Sequence, residues 1–132
     1  FSEDGNSSRL FNGGDGLKLA TTSTGISVTG DLTASGHITS TSDARLKENV
    51  VKIDSALNKV EQMRGVYFNK IDDETKTRNV GVIAQEMEEV LPEVVYTRED
   101  GMKSVGYANI VGVLIEAIKE LKAEIDILKA NK

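Results

Sequence analysis

The chain has 132 residues, 39% of them hydrophobic and only 5% aromatic, with no Trp. That is one ordinary domain, or a small domain with an attached segment, and a lean core for either. Sixteen Lys and Arg stand against 21 Asp and Glu, a net charge of −5, so a phosphate-backbone partner is a poor fit and no nucleic acid is expected.

There is no Cys and a single His. Disulfides, thiolate zinc sites, a thiol nucleophile and most His-based metal sites are therefore excluded, and a Ser-His-Asp triad is unsupported. No apolar run reaches the roughly 18 residues of a membrane span, and no signal peptide is readable, so no membrane partner is expected. The acidic group Glu86, Glu88, Glu89 and Glu93 lacks calcium-loop spacing and reads as solvated surface, and no phosphate-binding loop is present; neither metal nor cofactor is expected. Chemistry, if any, rests on hydroxyl, amine and carboxylate groups.

Residues 1–41 hold 21 Ser, Thr or Gly and only six of the 37 charged residues. This shift in composition sets a boundary near Thr41. The stretch from Phe1 to Gly16 reads as irregular surface chain. From Gly25 to Ile38 the period is two, with Ile26, Val28, Gly30, Leu32, Ala34, Gly36 and Ile38 on one face and His37 on the other, polar, face. So narrow an apolar face cannot form its own core. It reads as the end of a fibrous β-stalk built from several copies, with a polar linker as the alternative. Solvation is the expected fate of His37.

The rest reads as a small α+β body followed by a long helix. Ile53, Ala56, Leu57, Val60 and Met63 recur at helical spacing, with Asp54 as N-cap and Gly65 as stop. Val66-Tyr67-Phe68 reads as a strand, Asp72 to Arg78 as a polar turn, and Asn79 to Ile83 as a second strand. Ala84 to Val90 reads as a short helix ended by Leu91-Pro92. Val94 to Thr97 and Lys103 to Val105 form a hairpin about Glu99-Asp100-Gly101. From Tyr107 to Lys132, the residues Val111, Leu114, Ile118, Leu121, Ile125 and Leu128 step by three and four. They form a heptad seam with β-branched residues at a and Leu at d. Glu124 and Lys129 are placed to pair between parallel chains. The a/d rule alone leans to two strands, while Ile110, Ile115 and Ala117 widen the stripe for more neighbours. About three heptads are marginal alone. The alternative is an amphipathic helix packed on its own domain.

Ser42-Asp43-Ala44-Arg45-Leu46-Lys47 sits at the compositional boundary. A Ser hydroxyl needs a base; with His37 on the polar strand face, a Lys is the available one. A lysine ammonium is normally charged, so it must be desolvated or set near another cation, such as Arg45. In a regular helix, positions five apart diverge by roughly 140°. Either the segment is irregular at Ser42, or Lys47 serves a Ser on a neighbouring chain. Asp43 and Arg45 are candidates to tune the pair, or else form a surface ion pair. Gly81 and Gln85 are candidates for close backbone approach and for a turn cap or active-site donor.

The run Ser42-Asp43-x-Arg45-x-Lys47-Glu48, then Gly81-Val82-Ile83-Ala84-Gln85-Glu86, then Leu91-Pro92-Glu93, resembles the peptidase S74 domain. That domain is the intramolecular chaperone at the C-terminus of phage tail spikes, tail fibres, neck appendages and endosialidases. The run Tyr107-x-x-Ile110-x-x-x-Leu114-Ile115-x-Ala117-Ile118-Lys119-x-Leu121 resembles the family's closing helix. The resemblance implies a homotrimer whose residues 42–132 align an upstream fibre carried on the same polypeptide. It also implies self-cleavage of the Thr41–Ser42 bond, with Ser42 as nucleophile and Lys47 as general base. Residues 1–41 would be the stalk left behind, and the protein a precursor of a virion tail or appendage made in the host cytoplasm. A trimeric clamp of the same fold that does not cut is the alternative. A glycan- or receptor-binding tip is disfavoured by the few aromatics.

Overall fold

The computed structural model describes residues 8–13 and 16–132. The chain divides into two compact units, Phe1–Glu48 and Asn49–Lys132.

The first unit contains strands β1 (Arg9–Asn12), β2 (Gly16–Thr21) and β3 (Ile26–Val28), antiparallel in that order. Leu10 lies opposite Leu19, and a bulge between Leu10 and Phe11 shifts the register. The Thr22 amide donates to the Gly25 carbonyl at 2.7 Å and closes the turn between β2 and β3. Two expectations are corrected here. Arg9–Asn12 is a strand, not irregular chain, because β2 supplies its partner, and Gly16 already belongs to β2; residues 1–7 and 14–15 of the expected irregular start lie outside the described residues. The alternating run from Gly25 to Ile38 is a strand only over Ile26–Val28. Gly30 follows at φ +108°, a backbone that leaves the extended region. Leu32 and Ile38 remain exposed. A one-turn 3-10 helix, Ala44–Leu46, ends this unit.

The second unit contains helix α1 (Ala56–Gln62), hairpin β4 (Val66–Asn69) and β5 (Arg78–Gly81), and helix α2 (Ala84–Val90). Hairpin β6 (Val95–Thr97) and β7 (Lys103–Val105) follows, then a 3-10 turn over Tyr107–Ile110 that runs into helix α3 (Val111–Ala130). Mixed helices and small two-stranded sheets make this an α+β unit, with 24 helical residues at its C-terminal end. Strand β5 starts one residue before the expected span and stops at Gly81, where its pairing with Val66 ends.

Its core is small: Ala56, Met87, Leu91, Val94, Val113 and Ala117 are buried, with Ile53, Leu57, Val60 and Met63 packed against them. Helix α1 packs chiefly on α3, and the β6–β7 hairpin on α2. Alanines at 56 and 117 occupy the buried positions of the packed helices, where a larger side chain would keep the backbones apart.

Asp54 does not cap α1, contrary to expectation. Ser55 occupies the N-cap in a left-handed conformation (φ +49°) and makes no side-chain cap bond. The free amides of Ala56 and Leu57 donate instead to Glu120 of α3, at 3.1 and 2.8 Å. A carboxylate at a helix N-terminus satisfies orphan donors and meets the positive end of the dipole. The Leu57 and then the Ala56 amide hold the Glu120 carboxyl below the usual range.

The face of α3 that packs on its own unit carries Val113 and Ala117. The heptad residues lie on a different face, centred roughly a quarter of a turn away by the 3.6-residue period. Val111, Leu114, Ile118, Leu121, Ile125 and Leu128 are all exposed, from 39% at Ile125 to 67% at Leu128. Helix α3 thus has both faces that the pattern offered as alternatives.

Candidate active site

Ser42 lies at the end of a long exposed stretch and Lys47 just beyond the 3-10 turn. Asp43 is extended (φ −66°, ψ 135°), three residues turn, and Lys47 is extended again (φ −125°, ψ 141°). The Leu46 amide donates to the Asp43 carbonyl and the Lys47 amide to the Ala44 carbonyl, both at 3.1 Å. The segment is therefore not a regular helix, and the divergence expected of residues five apart does not arise. Lys47 Nζ donates to Ser42 Oγ at 2.6 Å within one chain. Both side chains are exposed.

Asp43 and Arg45 pair with each other. Arg45 Nε donates to Oδ1 at 3.0 Å and Nη2 to Oδ2 at 2.8 Å, while the Arg45 backbone amide donates to Oδ1 at 2.9 Å. The guanidinium first, then the backbone amide, holds the Asp43 carboxyl below the usual range, and the same bond raises Arg45. A cation paired this closely is largely neutralised as a neighbour for Lys47.

Gly81 and Gln85 belong to the second unit. A Cβ at Gly81 would collide with the hydroxyl of Tyr107, which accepts from the Val82 amide at 3.2 Å. Gly81 thus joins the second sequence motif to the first residue of the closing-helix motif. Gln85 is exposed on α2. The acidic group is partly paired, Glu86 with Arg64 and Glu88 with Lys103. Among the described residues no cluster of His, Asp and Glu has metal-holding geometry, and no helix is long and apolar enough to cross a membrane. His37 is exposed in the irregular stretch before the site.

One residue was not singled out from the sequence, and another was named only as part of a motif. Glu120 acts on amides more than 60 positions away, and its only signal is a carboxylate one turn beyond Ala117. The role of the Tyr107 hydroxyl is readable only as the counterpart of a glycine at 81.

Residues 42–96 match the model of the peptidase S74 family, described as the chaperone of endosialidase. The Ser42, Gly81 and Leu91-Pro92 motifs all fall inside the match; helix α3 lies beyond it.

Among curated proteins the chain is similar to the long tail fiber protein Gp37 of Enterobacteria phage K3. The two are 36% identical over 97 residues, 68% of this chain and 8% of that protein. The same protein of Enterobacteria phage T2 is 36% identical over 97 residues, 68% of this chain and 7% of the relative. That of Enterobacteria phage M1 is 38% identical over 96 residues, 67% of this chain and 38% of the relative. The chain spans less than a tenth of the K3 and T2 proteins.

Proposed function

We propose that residues 42–132 are an intramolecular chaperone that trimerises, aligns an upstream phage tail fibre, and then releases itself by cutting Thr41–Ser42. Residues 1–41 remain with the fibre. The observation that carries this reading is the 2.6 Å approach of Lys47 Nζ to Ser42 Oγ across an irregular turn, inside the segment that matches the chaperone family. The likeness to long tail fiber proteins supports the fibre as the client.

The step balances as follows. Lys47 Nζ, once deprotonated, takes the Ser42 Oγ proton. Oγ bonds to the Thr41 carbonyl carbon, the Thr41–Ser42 C–N bond breaks, and the proton passes to the departing Ser42 nitrogen. Water then attacks the ester, leaving a Thr41 carboxylate and a Ser42 with free amine and hydroxyl. In one chain the amine donates to the hydroxyl and faces water, which is the wrong direction for a base. Packing of three copies would exclude that water and arm the amine. The exposed seam of α3, Val111 to Leu128, supports the trimer as its place of contact.

Such a helper answers a physical difficulty. An alternating stalk keeps its apolar face after a two-residue slip, so several registers are nearly equal. Pairing between chains is slow and leaves strand edges open. A C-terminal trimer raises the local concentration and gives a common starting point.

The test is mass spectrometry of the purified chain over time at two concentrations. Fragments of 41 and 91 residues are expected, forming faster at the higher concentration, while Ser42→Ala and Lys47→Ala stay whole. Normal scission in Lys47→Ala would refute the dyad. The non-cutting clamp is favoured by the solvent exposure of both side chains; a wild-type trimer that stays whole would establish it.

A further inference from the structure

We infer that Asp43 is the positioning residue of the Ser42–Lys47 pair, and that it acts by folding the backbone turn rather than by its charge. The inference rests on the self-cleavage reading above.

Side chains five apart diverge on a regular helix; Ser42 and Lys47 meet because the chain turns once over Ala44–Leu46 and is extended at Asp43 and Lys47. Asp43 begins that turn: its backbone is extended, its carbonyl takes the Leu46 amide, and its Oδ1 takes the Arg45 amide at 2.9 Å. The Arg45 side chain then folds back onto the same carboxylate through both oxygens. The whole turn is exposed, so packing does not hold it within one chain. Among the described residues Asp43 is the one side chain that caps it. Without the cap the turn competes with many open conformers, and the Oγ–Nζ approach becomes a rare state. Misplaced reacting groups typically lose about tenfold to a hundredfold in rate.

The two roles separate by chemistry. Asn caps as well as Asp but carries no charge, whereas Glu keeps the charge and has the wrong reach for the cap. In the whole chain, scission in Asp43→Asn should fall only slightly, and in Asp43→Glu and Asp43→Ala roughly tenfold or more. The pH of half-maximal rate should stay in place, because the base itself is unaltered. Arg45→Ala should lose less than Asp43→Ala, since the amide cap survives.

Asp43→Glu near the wild-type rate with Asp43→Asn slow would overturn the inference in favour of a charge effect. So would Asp43→Ala at full rate, or a pH profile displaced in Asp43→Asn. If the wild-type chain does not cut at all, the reading of the site as a protease fails, and backbone scalar couplings of residues 44–46 measured by NMR still decide the role of Asp43. Couplings kept in Asp43→Asn and lost in Asp43→Glu and Asp43→Ala support it; couplings unchanged in all three refute it.

Discussion

The two units of this chain differ in what holds them. In Asn49–Lys132 a six-residue core joins α1, α2, the β6–β7 hairpin and α3. In Phe1–Glu48 no described residue is buried; three short strands are followed by a long exposed run. The unit with a core lacks the proposed nucleophile, and the unit with the nucleophile has no core among its described residues. The Ser42–Lys47 turn therefore takes no support from buried side chains of its own unit, whereas Asn49–Lys132 carries a core of its own.

The sharpest way to break this contrast is to charge the seam. Ile118→Asp with Leu121→Asp alters side chains exposed in the single chain, so circular dichroism should show the helices retained. Sedimentation should show association lost, and scission at Thr41–Ser42 should stop. Scission at the normal rate in a monomeric variant would mean that one chain completes the site.

The next effect falls on the body alone. Met87→Ala removes a side chain only 1% exposed and should cost about 2–5 kcal/mol in urea denaturation. Somewhat smaller is Gly81→Ala, about 1–3 kcal/mol from overpacking against the Tyr107 hydroxyl. Adding Tyr107→Phe removes the colliding atom, so the double variant should recover part of the loss. Simple additivity would show that the collision is relieved elsewhere.

The smallest effect concerns the acid side. Glu120 has its folded pKa lowered by the Leu57 and Ala56 amides, so its contribution is complete above the unfolded value of about 4.3. It is lost as pH falls through the lowered folded value. Glu120→Gln should therefore be less stable than wild type at pH 7, with a flatter stability profile below about pH 5. Parallel profiles would show that the cap does not contribute.

Much of the body was legible because its signals are local. Ala84–Val90 ends where Leu91-Pro92 must end a helix, and Lys103–Val105 follows a Gly101 turn; both have the expected bounds. Glu120 was not legible as a cap, since nothing local links it to Ala56. The strand expected through Ile38 failed because alternation states which face is apolar and not whether a partner exists. At the candidate site, the residue types pointed to Ser42 and Lys47, but their spacing left open contact within a chain through an irregular segment or contact between chains. The 3-10 turn resolves that, and it depends on one carboxylate reaching two residues ahead.

By itself the sequence determined the residue chemistry: a hydroxyl and an amine five positions apart, motifs that mark a family, and a helix with a repeating apolar stripe. Those properties follow from side-chain identity and spacing. Only the tertiary structure decided which face of α3 packs inward, what caps α1, and that Ser42 and Lys47 meet within one chain. Each of these depends on groups distant in sequence, or on a departure from ideal dihedrals, that no periodicity encodes.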